Sequence, residues 1–337
     1  MTPRRVLLVG PVFHGYTTSV ADALRRAGHR VDVHHYDAHD GAVDRLRTKL
    51  GTELPRLVGL RGEERRAVRR RTADALDALR ATRPDVVLAI KADVLDAAFW
   101  EEARRAGALT HLWLYDELRR MRLDPDVLAA VDVLTSYSAL DTADLVARGL
   151  PATHVANGFD AGVPVRTRPS DDVLFVGARY PNREAFLVAL HDRGLPVRAV
   201  GRDWSRHPVD RLRTWDVRRP ALPAARDVDR AEGYGLMAGA AANLNVHHDQ
   251  DGFTMRTFEI PGVGGLQLVD RPDVATLYEP EEEVLVFASV DEAAELASRA
   301  LGDRAWARRI GEAGRRRTLA EHTTDHRVRD LEALWTA

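Results

Sequence analysis

Short, continuously apolar runs alternate with longer amphipathic stretches along most of this chain. The first run, RVLLVG at 5–10, is followed by TSVADALRRAG at 18–28, in which apolar residues recur at helical spacing. Strands that are apolar throughout must be covered on both faces, and helices placed between strands supply that cover. The pattern therefore predicts parallel β/α units. Further apolar runs of this kind stand at 30–36, 85–91, 109–115, 131–137, 173–178, 196–201, 265–269 and 283–288.

A segment rich in turn-forming residues, THVANGFDAGVPVRTRPSDD at 153–172, interrupts this alternation. The chain has 337 residues, and a single hydrophobic core rarely keeps growing beyond ~250–300 residues. We therefore expect an α/β fold of two Rossmann-like, doubly wound domains that face each other across a cleft. Their predicted bounds are 1–160 and 161–310, and helices at 311–337 are expected to pack back toward the first domain.

The composition excludes several kinds of site and partner. Lys and Arg number 49 against 51 Asp and Glu, so the net charge of -2 gives no overall field that would attract nucleic acid. Cysteine is absent, which rules out disulfides, thiolate nucleophiles and cysteine-ligated zinc or iron–sulfur sites. No apolar run approaches the ~18–20 residues of a membrane span, and the run after the basic start is shorter than that of a secretion signal. We expect a cytoplasmic protein without a nucleic-acid partner; its oligomeric state is open.

Two segments do not fit the alternation. Residues 51–82 have the pattern of one long charged helix or two, with RGEERRAVRRR at 61–71. A nucleic-acid-binding arm is one interpretation, but the two glutamates inside the run favour a solvated helix face. The segment 203–230 contains Trp, Pro and Arg without a clear period. An acceptor-binding loop and an irregular connection both remain open for it.

Parallel sheets bind ligands beyond the carboxyl ends of their strands, so the loops that follow the predicted strands are the places to seek chemistry. In the first domain these loops carry His14, Lys91 and Asp116. The side chain of His14 fits a base or a substrate contact, and ordinary hydrogen bonding fits it as well.

In the second domain, VLFVGARYPNR places Gly177, Arg179 and Arg183 at a turn from strand to helix. Helix amides together with guanidinium groups can bind a diphosphate without a metal. Solvated arginines at a helix start are the other interpretation. The dinucleotide fingerprint G-x-G-x-x-G and the P-loop pattern are both absent, which disfavours a nicotinamide enzyme.

The stretch DQDGFTMRTFEIPGVGG at 249–265 places two carboxylates around a predicted helix start at 254 or 255. Asp251 then lies in the loop and Glu259 one to two turns inside, ~80° apart around the axis, so they can hold two parts of one long ligand. Backbone amides from Gly252 onward, with Arg256, form a second candidate anion cradle, and Glu259 suits a ribose diol. A capped amphipathic helix with acidic first turns is the alternative.

Histidine pairs do not predict a metal site. His247 and His248 follow a strand, so their side chains point to opposite faces and cannot readily share one ion. His322 and His326 have helical spacing, but the residue after His322 is a threonine rather than the glutamate of zinc proteases. We expect these last two histidines at the surface or between domains.

At these residues the chain resembles the GT-B glycosyltransferases, and within them the CgeB-like (spore maturation) branch. The resemblance rests on LNVHHDQDGFTMRTFEIPGVGGLQLVDRPDVATLYEP, DDVLFVGARYPNREAF and THVANGFD, and it covers most of 155–335. It implies a GT-B fold and transfer of a sugar from a nucleoside-diphosphate sugar, with no other cofactor and no metal. The implied donor-binding residues are Gly177, Arg179, Arg183, His247, Gly252, Phe253, Thr254, Met255, Arg256 and Glu259.

The resemblance also implies roles in catalysis. Asp251 and Glu259 match the two acidic positions of the E-x7-E motif of retaining enzymes, the first facing the transferred sugar and the second the ribose. Asp251 is one methylene shorter than the usual glutamate. An inverting enzyme would instead need a base from the first domain, for which His14 and Asp116 are the candidates. Together with Lys91 these two residues form the predicted acceptor side.

Other functions stay open at this point. A nucleotide-sugar epimerase shares the two-domain plan but needs no acceptor. A non-catalytic coat or scaffold protein with a degenerate site belongs to a different class, and the chemically matched set of three arginines and two carboxylates disfavours it. The expected acceptor is a small molecule, as in bacterial natural-product synthesis, or a cell-surface component.

Overall fold

A computed structural model describes residues 2–37, 61–216 and 218–336. The chain divides into two compact units, of which the first comprises Met1–Ala156 with Arg327–Ala337 and the second Asn157–His326. Each unit contains a six-stranded sheet with parallel neighbouring strands. The two predicted doubly wound α/β units are therefore present.

The sheet of the first unit has the strand order β2-β1-β3-β4-β5-β6. The order reverses between β1 and β3, so the topological switch point lies there. All five residues of β3 are buried, as a strand covered on both faces requires. The strands are β1 (Arg5–Gly10), β2 (Arg30–His35), β3 (Val86–Ile90), β4 (Leu109–Leu114), β5 (Val133–Ser136) and β6 (Ala152–His154).

The sheet of the second unit has the order β12-β11-β10-β7-β8-β9. Its switch point lies between β7 and β10, which are direct neighbours. The loops that follow these two strands, together with the first turns of the helices after them, carry every predicted donor-binding residue. The strands are β7 (Val173–Val176), β8 (Val197–Val200), β9 (Ala224–Ala225), β10 (Ala242–Asn245), β11 (Gln267–Val269) and β12 (Leu285–Val286).

Helices connect the strands of both sheets, and several begin at a side chain that accepts a hydrogen bond from a first-turn amide. Ser138 does so for Asp141, and Asp229 for Glu232. In chain order the helices are α1 (Tyr16–Arg26), α2 (Arg61–Thr82), α3 (Ala97–Arg105), α4 (Pro125–Ala130), α5 (Ala139–Ala147), α6 (Pro181–Asp192), α7 (Pro208–Thr214), α8 (Arg230–Gly239), α9 (Arg256–Gly262), α10 (Val290–Gly302), α11 (Arg304–Glu321) and α12 (Thr324–Ala333).

The last residues of the described chain complete the core of the first unit. Val328, Leu331 and Trp335 are buried in one cluster with the residues of β1 and β3. The indole Nε1 of Trp335 donates to Nδ1 of His111 at 2.8 Å, and Glu332 is hydrogen-bonded to His29. Helices were expected at 311–337. Within this range, the residues up to His326 belong to the second unit, and Arg327–Ala337 belongs to the first.

Glycines allow main-chain segments to cross helices closely in the second unit. A Cβ at Gly239 would stand 1.9 Å from the carbonyl oxygen of Arg168, and a Cβ at Gly235 would stand 2.3 Å from that of Arg166. The segment after the unit boundary therefore lies directly on α8, and the amide of Arg168 donates to the carbonyl of Gly235 at 2.9 Å.

The two irregular segments have the following structures. The arginine-rich run lies on α2, where the side chains at 65, 66, 69 and 70 are exposed; residues 51–60 lie outside the described part of the chain. The segment 203–230 contains α7 and β9, so it includes regular structure that its sequence did not reveal. Within the described ranges, no helix has the length and apolar character needed to cross a membrane.

Candidate functional site

Arg183 holds the ends of the two switch-point strands together in the second unit. Its Nε donates to the carbonyl of Val246 at 2.7 Å and its Nη1 to that of Ala178 at 3.2 Å. The side chain is buried, and its Cζ lies 4.9 Å from the ring centre of Tyr180. Two of its donors are thus directed at the main chain, so Arg183 fixes the floor of the candidate site and adds a positive charge there.

Arg179 is engaged by protein carboxylates rather than directed to an open anion site. Its guanidinium pairs with Asp216 and lies 3.4 Å from Glu184, and Nη1 donates to the carbonyl of Arg218 at 2.8 Å. A direct diphosphate contact was predicted for it. In this structure the residue instead ties the loop after β7 to the segment that follows α7.

The stretch after β10 becomes helical at Arg256, one to two residues later than predicted, so Glu259 lies in the first turn of α9. Nε of Arg256 donates to the carbonyl of Val176 at 2.9 Å, and Nη1 pairs with Oε2 of Glu259. The hydroxyl of Tyr234 donates to Oε1 of Glu259 at 3.3 Å. The glutamate side chain is 0% exposed and that of the arginine 30%, so Arg256 is the accessible member of the pair.

The loop before α9 is held in place from two directions. Nδ2 of Asn157 donates to the carbonyl of Phe253 at 3.0 Å, and Nη1 of Arg271 donates to that of Asp251 at 2.8 Å. The guanidinium of Arg271 also lies 4.3 Å from the ring centre of Phe253. In the described part of the chain, no protein group accepts from the amides of residues 253–256. These amides are donors available to an anion.

His247 is buried with one ring nitrogen unused. Oδ1 and Oδ2 of Asp270 accept hydrogen bonds from its Nδ1 at 2.7 Å and its main-chain amide at 2.9 Å. Nδ1 donates its proton to the carboxylate, so in the neutral imidazole Nε2 presents a lone pair. That Nε2 is buried and has no partner among the described residues, and the ring stands edge-on to Phe253. A hydroxyl donor would satisfy it.

The remaining predicted donor residues line the same loops. Gly177 follows β7, and a Cβ there would stand 3.9 Å from Nη1 of Arg183. Gly252 is buried, whereas Thr254 and Met255 are partly exposed. The structure thus brings Arg183, Arg256 and Glu259 to the ends of β7 and β10.

The NGFD segment at 157–160 supports this site from behind. The ring of Phe159 packs on that of Tyr234 at 5.3 Å, and a Cβ at Gly262 would stand 2.5 Å from the Phe159 ring. Asp160 pairs with Arg230 at 3.1 Å. These contacts order the elements that hold Glu259.

Two functional candidates were missed from the sequence. Asp270 directly follows β11, so the carboxyl-end rule could have found it. Tyr234 lies inside α8, where an aromatic residue is ordinary core, so the sequence carries no signal for its contact with Glu259.

The histidines have surroundings that the sequence predicted only in part. His248 stacks on Tyr180 at 4.4 Å, away from the Asp270 that holds His247. His322 is buried, and its ring nitrogen Nε2 is 3.0 Å from the carbonyl oxygen of Leu277. Of the two positions expected for His322, the surface is wrong, because its ring is buried against those of Phe258 and Tyr278. Within the described ranges, no group of three His, Asp or Glu side chains could hold a metal ion.

In the first unit, the structure brings Lys91 and Asp116 together at 2.9 Å. Burial raises the pKa of Asp116, but hydrogen bonding from Lys91 and the charges of Lys91 and Arg120 outweigh it, so the pKa is lower than usual. Lys91 has a left-handed backbone with φ of 65°. His14 has φ of 46° and is exposed in the short 3-10 helix Phe13–Gly15 after β1.

Beside this pair, in the same loop after β4, lies the fully buried Glu117. Glu117 accepts a hydrogen bond from the hydroxyl of Tyr137 and another from Nη1 of Arg120 at 3.3 Å. Its side chain is 0% exposed. Burial, followed by the hydrogen bond to Glu117, raises the pKa of Tyr137, so the phenol stays protonated and remains a donor.

Comparisons with known proteins place these findings in a family context. Residues 179–333, most of which lie in the second unit, match the family model described as Glycosyl transferase-like. A comparison with curated protein sequences finds no match.

Several solved structures share this α/β fold over nearly the whole chain. Sucrose-phosphate synthase (tll1590) from Thermosynechococcus elongatus is 14% identical with a TM-score of 0.63, over 98% of each chain. Anabaena Alr3699/HepE, solved in complex with UDP-glucose, is 13% identical with a TM-score of 0.64, over 99% of this chain and 100% of that one. A putative UDP-N-acetylglucosamine 2-epimerase from Listeria monocytogenes is 12% identical with a TM-score of 0.58, over 98% and 95%. At these identities the likeness shows the fold, which is GT-B.

Proposed function

We propose that this protein is a metal-independent glycosyltransferase that takes its sugar from a nucleoside-diphosphate sugar bound at the switch point of the second unit. The observation that carries the proposal is the accessible Arg256, held by a buried Glu259 and by the carbonyl at the end of β7. Beside it lie the amides of 253–256, for which the described residues supply no acceptor. Such a site offers fixed positive charge and hydrogen-bond donors to a diphosphate.

The leaving group of the reaction is the nucleoside diphosphate, whose negative charge grows as the glycosidic bond to the sugar breaks. Arg256 and the amides of 253–256 stabilise that charge. Arg183 contributes from the floor of the site through its charge, since its Nε and Nη1 are used on carbonyls. We assign Arg179 to ordering the neighbouring segment, because carboxylates engage its guanidinium.

Glu259 has two roles in the proposed site. In the structure it positions Arg256 and accepts from Tyr234. When Arg256 turns toward the diphosphate, its Nη1 leaves Oε2 of Glu259, and that oxygen then accepts a hydrogen bond from a ribose hydroxyl. His247 then accepts a hydrogen bond from a sugar hydroxyl through Nε2, with Asp270 keeping the proton on Nδ1.

The stereochemical course follows from which carboxylate or base faces the acceptor. We propose retention, with Asp251 near the transferred sugar and the acceptor hydroxyl attacking on the leaving-group face. This agrees with the resemblance to the CgeB-like branch and the E-x7-E motif. For inversion, His14 is a better base than Asp116, because the ion pair with Lys91 keeps the pKa of Asp116 low. The acceptor class we expect is a small molecule or a cell-surface component.

A nucleotide-sugar epimerase is the second candidate, favoured by the fold it shares with the putative epimerase from Listeria monocytogenes. The two functions differ in their need for an acceptor. Incubation of the protein with a nucleotide sugar alone, followed by chromatography of the sugar nucleotide, separates them: an epimerase produces a new isomer, whereas a glycosyltransferase leaves the donor unchanged or hydrolyses it slowly.

The first test is a melting-temperature screen against UDP, dTDP, GDP and their sugars. UDP comes first because HepE was solved with UDP-glucose. A ligand present at 100 times its Kd adds ~2.7 kcal/mol to the free energy of unfolding. We expect a shift with the nucleotides of one base. The absence of any shift, at concentrations that saturate a known glycosyltransferase in parallel, would rule out the donor site.

A further inference from the structure

The outer side of α7 carries a cluster of exposed apolar side chains. Val209 is 49% exposed, Leu212 68% and Trp215 77%, and the last two are more exposed than any other large apolar residue of the described chain. Their spacing of three residues places them on one side of the helix and its end. Arg213, also exposed, lies on the same side. We call Val209, Leu212, Arg213 and Trp215 the α7 face.

The fold holds this face outward. Asp210, on the inner side of the helix, is buried and pairs with Arg226 at 2.7 Å. Arg219 donates to the carbonyl of Ser205 at 2.9 Å, which ties the two ends of the segment together. Trp215 ends the helix in a left-handed conformation with φ of 53°, an unusual backbone for a bulky residue. The tryptophan is therefore presented to solvent by ordered neighbours.

Exposed arginines lie close to these apolar side chains in the chain: Arg206, Arg213 and Arg218. The nearby carboxylates are already neutralised, since Asp210 pairs with Arg226 and Asp216 with Arg179. The face thus combines an apolar centre with a cationic rim.

We propose that the α7 face binds the surface of a membrane that contains anionic lipids. A bilayer presents negative headgroups directly above an apolar layer, which matches arginines placed around Trp, Leu and Val. Tryptophan is favoured at such an interface because its ring is apolar and its N–H polar. A nucleic acid would leave the aliphatic side chains of Val209 and Leu212 without contacts. This inference is independent of the proposed sugar transfer.

Trp215 supplies its own probe. The chain has six tryptophans, and the other five, Trp100, Trp113, Trp204, Trp306 and Trp335, are buried. Fluorescence that acrylamide quenches therefore reports on Trp215. With vesicles of phosphatidylcholine and phosphatidylglycerol, we expect a blue shift and loss of quenching that high salt reverses. Vesicles of phosphatidylcholine alone should leave the spectrum unchanged.

A matched pair of variants completes the test by vesicle sedimentation. Leu212→Glu should weaken binding to the anionic vesicles at least ~10-fold, because it places a negative charge on the face. Leu140→Glu, at a leucine 65% exposed on α5 in the first unit, should leave binding unchanged. Both variants should melt like the parent protein. No binding of the parent at low salt, or equal loss in both variants, would overturn the proposal. Lipid-free protection of Trp215 that rises with protein concentration would also overturn it, in favour of a second copy.

Discussion

Each unit buries one glutamate completely and holds it in nearly the same way. Glu117 in the first unit and Glu259 in the second are both 0% exposed, and each accepts from a tyrosine hydroxyl and pairs with an arginine three residues away. The arginines, Arg120 and Arg256, are 27% and 30% exposed. If a buried glutamate alone marked an anion site, either unit could hold that site.

The difference lies in what the arginine contacts next. Arg120 lies 3.6 Å from a second carboxylate, Asp116, which pairs with Lys91, so two positive and two negative charges neutralise one another. Arg256 contacts the main chain at the end of β7, beside amides that have no acceptor among the residues that the structure describes. A buried glutamate therefore does not identify an anion site; unused donors next to it do.

Removing each glutamate in turn tests whether the two units differ in nucleotide binding. Glu259→Ala should weaken nucleoside-diphosphate binding at least ~100-fold, since it removes the ribose acceptor and the anchor of Arg256. Glu117→Ala is the matched control. Each substitution should lower the free energy of unfolding by about 3 kcal/mol, but Glu117→Ala should leave nucleotide affinity unchanged. Calorimetric titration and urea unfolding measure the two quantities. Equal loss of nucleotide affinity in both variants would end the distinction between the units.

The two units also bury their histidines differently. Burial lowers the pKa of His111 to about 3, because the charged imidazole is not solvated in the core. His247, by contrast, is hydrogen-bonded to the carboxylate of Asp270. The folded pKa of His111 lies below the unfolded value of ~6.5, so its stabilising effect is complete above pH 6.5 and is lost as the pH falls toward 3.

For His111 we expect a loss of about 2 kcal/mol of unfolding free energy between pH 7 and pH 5. His111→Gln should remove that part of the slope, because glutamine does not titrate. Urea unfolding of both proteins at several pH values gives the difference, in which the carboxylates common to both proteins cancel. Identical slopes would show that His111 does not contribute.

Nε2 of His247 allows contacts to the sugar and to the nucleotide to be told apart within the second unit. His247→Phe keeps an aromatic ring but removes Nε2, so it should weaken a nucleoside-diphosphate sugar ~10-fold and leave the free nucleoside diphosphate unaffected. His248→Phe, next along the chain, should change neither affinity. If His247→Phe weakened both ligands equally, the contact would be with the nucleotide or with bound water rather than with the sugar.

The smallest effect is expected from Asp116→Asn in the first unit. Its half-buried ion pair with Lys91 contributes up to ~1 kcal/mol, and nucleotide affinity should not change. The folded pKa of Asp116 is below its usual value, so this contribution is present above the usual carboxyl pKa and is lost as the pH falls through the folded one. The stability difference between the two proteins should therefore disappear in acid. A difference that persists there would assign the effect to packing.

Much of the architecture followed from hydrophobic pattern, because strands covered on both faces leave continuous apolar runs. The runs at 5–10 and 109–115 became β1 and β4 with nearly the predicted bounds. β6 and β9 were missed because none of their residues is buried, so no continuous apolar run marks them.

The candidate site was predictable where it depends on local spacing and not where it depends on long-range contacts. The carboxyl-end rule pointed to Arg183 and Glu259, which the structure places beside β7 and β10. No local pattern could show that Tyr234 reaches Glu259, or that Asp216 engages Arg179, because residues 25 and 37 positions apart make these contacts.

Trp335 and Val328, in the buried cluster that also contains Val6 and Leu8, give the protein a particular order of assembly. The ribosome makes the first sheet early, but the residues that close its core are made after the entire second unit. The first unit is begun first and finished last, with one side of its core exposed while the rest is synthesised. Chaperones that bind nascent chains thus have a long-lived apolar target in this protein, and deletion of residues 328–336 would damage the core of the first unit although the second unit separates them in the chain.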